Sequence, residues 1–197
     1  MDLSQFIHKI PKTETHLHIE GALPWSFLEE LNPVKYSGVP YFRKADFRYK
    51  NFAQFESILI EHALEIFKTA EDYYRVASSI FKEAQSQNIC YMETSFHAGM
   101  IEFLKIPGTE ILDAIKSAVP SGLEVRVFLG MSRNAYSRYL GPIIEEAVNR
   151  WDDLSGIDLH GPEDLPVEDW TPPIWERASA KGLVLKAHAG EFGPASN

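Results

Sequence analysis

Strand-like runs alternate with helical patterns along almost the whole length of this chain of 197 residues. That alternation is typical of βα units, in which parallel strands are joined by helical crossovers. Most of the strand-like runs end at Gly, His or another polar residue, where a strand gives way to a loop. We predict five strands, at residues 13–19, 89–96, 124–130, 155–159 and 183–188.

The longest helical region lies between the first two predicted strands, where apolar residues recur at helix-face spacing. We interpret these stripes as core-facing surfaces rather than as cofactor contacts. Shorter helices are predicted near residues 110–118, 142–151 and 174–181, so that a helix follows each of the first four strands. The residues of the stripes are Phe52, Phe55, Leu59 and Ala63, followed by Tyr73, Ala77, Ile80, Phe81 and Ala84.

Parallel strands joined by right-handed crossovers form either an open sheet or a closed eight-stranded barrel. In both architectures the active-site residues lie at the carboxyl ends of the strands. The chain has the length of one domain, although a closed barrel normally takes about 250 residues. We therefore predict a single α/β domain over residues 1–197, with a helical insertion at about 24–87 between the first two strands.

The composition excludes several classes of protein. A net charge of −9, with no basic stripe interleaved with aromatic residues, argues against nucleic acid as a partner. Cys90 is the one cysteine, which excludes a disulfide framework and a cytidine-deaminase site built on paired thiolates; we expect it to be a small core residue. Because there is no secretory signal and no run of about 18 apolar residues, we expect a cytoplasmic protein that does not enter a membrane.

The first chemical motif, T-H-L-H-I-E-G at residues 15–21, lies at the end of the first predicted strand. Because successive side chains of a strand alternate between faces, His16 and His18 point the same way. Two imidazoles on one face can approach one metal ion at about 2.0–2.1 Å each. A His-x-His pair alone is a weak signal, and its place at a strand end strengthens it.

The second motif, K-A-H-A-G-E at residues 186–191, ends the fifth predicted strand. His188 offers a third neutral nitrogen, and Glu191 can reach a substrate atom near a metal without being a ligand. Gly190 has no side chain, which would allow a ligand to approach the backbone closely. A single strand-end histidine is more often structural, yet the chain has only seven histidines, so a second such strand end favours a shared metal site.

Four motifs, in order over the entire chain, resemble the adenosine deaminase family of the amidohydrolase superfamily. They are T-H-L-H-I-E-G, Y-M-E at residues 91–93, G-I-D-L-H-G at residues 156–161, and H-A-G-E at residues 188–191. The resemblance implies a TIM (β/α)8-type barrel of which this chain covers about the first five strands. It also implies one zinc ion per active site and the hydrolysis of a purine 6-amino group to a carbonyl with release of ammonia, with adenosine as the first substrate.

The resemblance further implies roles for individual residues. His16, His18 and His188 would bind zinc, which would lower the pKa of a bound water so that the water attacks the purine carbon. Glu191 would act as general acid on the adjacent ring nitrogen, a role that calls for a carboxyl pKa raised by burial. The backbone amide of Gly161 would bind another ring nitrogen.

Substrate contacts are also expected from Glu20 and His18. Nucleoside deaminases usually carry Asp at the place of Glu20, where it contacts the sugar, whereas Glu resembles the adenine deaminases; adenine or another aminopurine is therefore an alternative substrate. The sequence ends at residues 194–197, before the family's water-orienting histidine and its final Asp-Asp pair, one of which binds zinc. We expect the complete catalyst to need this C-terminal barrel segment, as a continuation or as a separate chain.

Two other functions are compatible with the motifs. A metal-dependent phosphoesterase is one, because His-x-His on a first strand also opens several such hydrolase families, although these usually need several metals and basic residues for phosphate. The other is a catalytically incomplete zinc-binding fragment, which would bind zinc without deaminating any aminopurine.

The remaining titratable residues are expected to play supporting roles. His8, His62 and His97 are predicted to be structural or solvent-facing. His160, at a strand end beside Gly161, is predicted to be supporting structure, with a position facing the pocket as the alternative. Glu93 and Asp158 are expected to pair with neighbours or to orient a ligand, the candidate partners being Arg126 and Arg133.

Overall fold

Five parallel strands form one sheet whose strand order follows the sequence. The computed structural model describes residues 2–134 and 138–194. All five predicted strands are confirmed, with ends within about two residues of those predicted, the usual spread of strand boundaries. The strands are β1 (Lys12–His18), β2 (Ile89–His97), β3 (Glu124–Ser132), β4 (Gly156–His160) and β5 (Val184–Ala187).

The sheet is curved, so that its two edges approach each other across the concave face. Lys186 of β5 forms an ion pair with Glu93 of β2 and donates a hydrogen bond to the carbonyl oxygen of Thr15 in β1. The side chain of Lys186 therefore connects the edge strand β5 with the opposite edge strand β1. The predicted α/β class, with five strands forming half of a TIM-type barrel, is confirmed.

Helices fill the connections between the strands. They are α1 (Leu3–Lys9), α2 (Trp25–Leu31), α3 (Phe52–Ile66), α4 (Ala70–Ser86), α5 (Ala98–Leu104), α6 (Gly108–Ser117), α7 (Leu140–Arg150) and α8 (Thr171–Ala180), with a 3-10 turn at Tyr41–Arg43. The predicted helices after each of the first four strands are found, whereas α1, α2 and α5 are not predicted by the apolar pattern. None of the described helices combines the length and the apolar character that crossing a bilayer requires.

The main core lies between the convex face of the sheet and the helices. Along β3, Val127, Leu129 and Met131 are buried in this core. The intervening Phe128 and Gly130 face the barrel interior, where they contact Lys186 and His160 respectively. Because side chains alternate along a strand, one face of the sheet packs in the core and the other faces the barrel interior, where functional side chains can lie.

The long helical region splits into α3 and α4 at residues 67–69. Thr69 caps α4 by accepting a hydrogen bond from the amide of Asp72, whose carboxylate accepts one from the amide of Thr69 in return. The stripe on α4 packs in the core as predicted. The stripe on α3 is divided: Ala63 lies in the core as predicted, whereas Phe52, Phe55 and Leu59 line a cavity and are not core residues.

Cys90 is exposed, contrary to the expectation of a core cysteine. It is the second residue of β2, and the first fully buried residue of that strand is Met92. The cysteine therefore precedes the part of β2 that enters the core, and its Sγ lies 3.5 Å from the carbonyl oxygen of Lys12.

Candidate metal centre and adjoining cavity

Three histidines and one aspartate converge at the carboxyl ends of β1, β4 and β5. One ligand atom from each of His16, His18, Asp158 and His188 lies within 4.8 Å of the others. Nε2 of His16 and Nε2 of His18 lie 2.9 Å and 3.0 Å from Oδ2 of Asp158. Nε2 of His188 lies 3.1 Å from Nε2 of His18 and 3.6 Å from Oδ1 of Asp158. The three histidines singled out in the sequence therefore share one place in the fold.

The strands position these side chains through local backbone contacts. His188 follows β5 directly, and its amide donates a hydrogen bond to the carbonyl oxygen of Leu159 at 2.8 Å, which extends the β4–β5 ladder by one residue. From β2, the hydroxyl of Ser95 donates to Oδ2 of Asp158 at 2.9 Å. Four strands thus hold the cluster.

In the cluster, one buried carboxylate lies beside three imidazoles. Asp158 is fully buried. Burial alone would raise the pKa of its carboxyl, but the nearby imidazoles of His18, His188 and His16 lower that pKa well below its usual range. In return, the carboxylate of Asp158 raises the pKa of His188 against the effect of burial. Asp158 is therefore an anionic acceptor at the centre of the histidines.

The four side chains fit a small divalent metal ion. Oδ1 of Asp158 is buried and has no hydrogen-bond partner among the described residues. Around an ion bound tetrahedrally at about 2.0–2.1 Å, neighbouring ligand atoms lie about 3.3 Å apart. Four of the separations in the cluster, from 2.9 to 3.6 Å, scatter around that value, and all of the separations lie within 4.8 Å. Imidazole nitrogens with one carboxylate oxygen are also a donor set that zinc accepts.

Asp158 lies in the motif G-I-D-L-H-G and is expected to pair with neighbours or to orient a ligand, but the motif does not place it among the metal ligands. The prediction of arginine partners for Glu93 and Asp158 is wrong: Arg126 pairs with Glu124 at 3.0 Å, and Arg133 donates to the carbonyl oxygen of His188 at 2.9 Å. Strand alternation is the signal that could have found Asp158, because it places this residue on the same face of β4 as the strand-end His160.

A cavity of about 360 Å³ opens beside the cluster. This volume is typical of a site for a small organic molecule, for which pockets of about 300–1,000 Å³ are usual. Much of its wall is apolar, with Phe52, Phe55 and Leu59 from α3 and Met100 and Phe103 from α5. The residues singled out for substrate or catalysis also lie in the wall, and these are His18, Glu20, Gly161, His188 and Glu191.

Gly161 occupies a position that only glycine fits. Its φ angle is +102°, in the left-handed region that disfavours other residues. A β-carbon at this position would lie 2.3 Å from Oγ of Ser132. The backbone of residue 161 can therefore approach a ligand in the cavity closely.

Glu20 presents a buried carboxylate to the cavity. Its side chain is 6% exposed, and Oε1 accepts hydrogen bonds from the hydroxyl of Tyr73 at 2.7 Å and from the amide of His97 at 3.1 Å. Oε2 is buried as well and has no partner within the described part of the chain. One oxygen of Glu20 is thus fixed by the protein, and the other remains an acceptor.

Glu191 lies in the wall of the cavity without being buried. Its side chain is 35% exposed, and Oε2 lies 3.3 Å from Nδ1 of His188. The burial that we expect for a general acid is therefore not provided by the described residues. The reason is geometric, because Glu191 sits in the loop after β5 at the open side of the half-barrel.

His97 and His160 form a second pair of imidazoles in the cavity wall. Their ring centroids lie 4.8 Å apart, and that of His160 lies 5.3 Å from that of His18. Burial lowers the pKa of both, helped for His160 by its neighbouring histidines, so both are neutral at pH 7. His160 lies in the cavity wall, which is the alternative to a purely supporting role, and His97, predicted to be structural or solvent-facing, lies in the wall as well. No motif marks His97, which belongs to the site because β2 ends beside it.

Comparisons with known proteins agree with this geometry. A family model described as adenosine deaminase matches residues 11–197. The adenine deaminase of Rhodospirillum rubrum is 28% identical over 96% of this chain, which covers 59% of that protein. The crystal structure of an adenine deaminase from Arthrobacter aurescens matches 94% of this chain and 59% of its own, with a TM-score of 0.75 and 19% identity.

An amidohydrolase from Burkholderia ambifaria, solved with bound zinc, matches 98% of this chain and 56% of its own, with a TM-score of 0.72 and 19% identity. The chain thus spans a little under three-fifths of each of these two structures and of the curated relative.

Proposed function

This chain belongs to the adenosine deaminase family, and from that premise we propose that it is the metal-binding part of a zinc-dependent hydrolase that deaminates an aminopurine. The observation that carries the proposal is the convergence of three histidines and Asp158 beside a cavity of suitable size. A metal-dependent phosphoesterase is disfavoured by the family match.

We assign His16, His18 and His188 as ligands of one zinc ion, with Asp158 as the fourth side chain of the site. When bound, zinc supplies Lewis-acid activation of a water molecule. Asp158 lies within 3.6 Å of a ring nitrogen of each of the three imidazoles and contributes the negative charge that a divalent cation requires. Ser95 in turn orients Asp158.

Glu191 is assigned as the general acid. A purine that fills the cavity covers its partly exposed carboxyl from solvent. Glu191 then gives its proton to a ring nitrogen while the oxygen of water adds to the carbon that carries the amino group. Of the two protons of the water, one completes the amino group, which leaves as ammonia, and the other restores the carboxyl of Glu191. The backbone amide of Gly161 is assigned to a second ring nitrogen, and His18 borders the same face of the substrate.

Adenosine is the substrate that we propose first. Adenine is the second candidate, because Glu20 stands where a shorter acidic residue would contact a sugar, and because the curated relative and one of the structures are adenine deaminases. The free Oε2 of Glu20 can accept a hydrogen bond from a ring N–H of a base or from a sugar hydroxyl.

We propose further that residues 1–197 form one domain, in which the insertion at about 24–87 covers the cavity through α3. On the sequence grounds given above, we place the protein in the cytoplasm. Its small-molecule partner is the aminopurine, and the remaining C-terminal barrel segment, as a continuation or as a separate chain, supplies the rest of the catalytic residues.

The test combines metal analysis with product analysis. The chain is purified, its zinc content is measured, and ammonia release is assayed with adenosine, adenine and adenosine monophosphate, with and without the C-terminal segment of a relative. We expect one zinc per chain and deamination that depends on the added segment. Zinc binding without any deamination in the completed protein would identify a non-catalytic zinc module, and release of phosphate from a monoester would identify a phosphoesterase.

A further inference from the structure

The loop after β5 is folded around a single carboxylate. The side chain of Glu163 is 6% exposed. Its Oε1 accepts a hydrogen bond from the amide of Gly190, and its Oε2 accepts from the amides of Phe192 at 2.6 Å and Gly193 at 2.8 Å. The amides of Gly193 and Phe192, followed by those of Glu191 and Gly190, hold the pKa of Glu163 at about 2. Four consecutive backbone amides therefore face one negative charge.

The carboxylate links two loops that carry assigned residues. Glu163 follows Gly161 by two positions in the loop after β4, and Gly190 follows His188 by two positions after β5. The φ angle of Gly190 is +72°, which lets successive amides turn toward one anion. The contact thus ties the backbone that bears Glu191 to the backbone that bears Gly161.

The outer side of the same loop rests on α3. The ring of Phe192 packs against the rings of Phe52 and Phe55, with centroids 5.6 Å and 5.8 Å apart. These aromatic contacts hold a side chain but leave the backbone free to rotate. A buried carboxylate is stable only while its hydrogen bonds are made, so Glu163 selects one backbone conformation of residues 190–193.

We propose that Glu163 is a positioning residue: by accepting the amides of residues 190–193 it fixes the direction in which Glu191 and His188 approach the cavity and the metal site. The roles of Glu191 and His188 rest on the proposed function, whereas the ordering of the loop does not. A carboxamide cannot replace Glu163, because its NH₂ group would face backbone N–H donors and the negative charge would be lost.

The first test measures hydrogen exchange of the backbone amides without metal. In Glu163→Gln we expect the amides of residues 190–193 to exchange at least about tenfold faster than in the wild type, while the amides of Val184–Ala187 keep their protection. Glu163→Asp, which keeps the charge, should restore part of the protection. Glu176→Gln, the same change at an exposed residue of α8, should leave all rates unchanged.

Two exchange results would overturn the proposal. One is wild-type exchange of residues 190–193 in Glu163→Gln. The other is an equal loss of protection in Val184–Ala187, because the carboxylate would then stabilise the sheet rather than orient the loop. Glu163→Asp separates these cases if Glu163→Gln folds poorly.

The second test measures zinc affinity by competition with a chromophoric chelator. We expect Glu163→Gln to bind zinc about 10- to 100-fold more weakly than Glu176→Gln, as is usual when a group that orients a ligand is removed, with partial rescue in Glu163→Asp. Equal affinity in the two Gln variants would contradict the proposal. If the wild type binds no zinc, the proposed function fails, and the exchange measurement still decides whether Glu163 orders the loop.

Discussion

At the scale of single residues, Asp158 is the charge on which the cluster depends. We expect Asp158→Asn, which keeps the shape and removes the charge, to weaken zinc binding by at least about tenfold. The reason is that the three imidazoles remain but lose the anion that holds them at 2.9 to 3.6 Å. Chelator competition measures the change, and Asp152→Asn, at an exposed residue, is the control. Unchanged affinity in Asp158→Asn would exclude Asp158 from the metal site.

His62 provides a pH prediction away from the metal site. It packs among Trp25, Tyr36 and Phe42, and burial lowers its pKa, although the charges of Glu61, Lys35, Glu65 and Arg43 also act on it. The folded imidazole stays neutral, whereas the unfolded one takes up a proton near its ordinary pKa of 6.5. Stability should therefore be lost as the pH falls below about 6.5.

Urea unfolding at about pH 7.5 and about pH 5.5 measures this effect. We expect His62→Gln to lose less unfolding free energy between the two pH values than His8→Gln, which changes an exposed histidine of α1. Burial also lowers the pKa values of His97 and His160, so both contribute to the loss of stability as the pH falls. Their contribution is the same in the two variants and does not affect the comparison. Equal losses in the two variants would show that His62 is not buried in its neutral form.

Sequence patterns reveal ligands that are close together in the sequence or that stand in a motif of their own. They miss groups that become neighbours only through the curvature of the sheet. His16 and His18 are two residues apart on one strand, and His188 lies in a motif of its own, so all three could be predicted. Asp158 could not, because its partners are 30 residues and about 140 residues away and only the curvature of the sheet joins them. The exposure of Glu191 depends on which segment covers the open side of the barrel, and no local pattern encodes that.

At the scale of elements, Lys186 joins the two edges of the sheet. Its ammonium pairs with Glu93 of β2 and donates to the carbonyl oxygen of Thr15 in β1, and both charged side chains are about 15% exposed or less. We expect Lys186→Met to lower the free energy of unfolding by about 2–4 kcal/mol, because it leaves a largely buried carboxylate without its cation. Urea denaturation measures the loss.

The double variant Lys186→Met with Glu93→Gln tests the cause. Removing the unpaired charge should recover part of the stability, whereas Lys82→Met, on the exposed face of α4, should cost little. A double variant less stable than Lys186→Met alone would mean that Glu93 stabilises the sheet without its lysine.

Elements differ in how far they can be predicted. The strands are predictable because strand-like runs that mostly end at Gly, His or another polar residue alternate with helical patterns, and α4 is predictable because its stripe spans several turns. The helices α1, α2 and α5 have seven residues each, too few for a period of 3.6 to repeat clearly. The stripe on α3 shows why periodicity cannot assign function. A helix face that lines a cavity and a helix face that packs in the core have the same spacing of apolar residues.

At the scale of the whole molecule, the half-barrel has two free edges. Within residues 2–134 and 138–194, β1 pairs with β2 alone and β5 with β4 alone. Closure into a barrel removes such edges, and the relatives have additional length with which to do so. The cluster spans the same opening, because His16 and His18 belong to one edge strand and His188 follows the other.

Metal removal should therefore act on the stability of the entire chain. An ion held by both edges binds the folded state and not the unfolded one, which adds about 2.7 kcal/mol at a free zinc concentration 100 times Kd. For a chain of this size we expect a strong chelator to lower Tm by about 5–10 °C. The double variant His16→Ala with His18→Ala should already melt at the lower temperature and show no further shift, whereas His8→Ala should respond like the wild type. A chelator shift that survives the double variant would mean that zinc stabilises the fold from some other site, and no shift in the zinc-loaded wild type would mean that the two edges are not bridged by the ion.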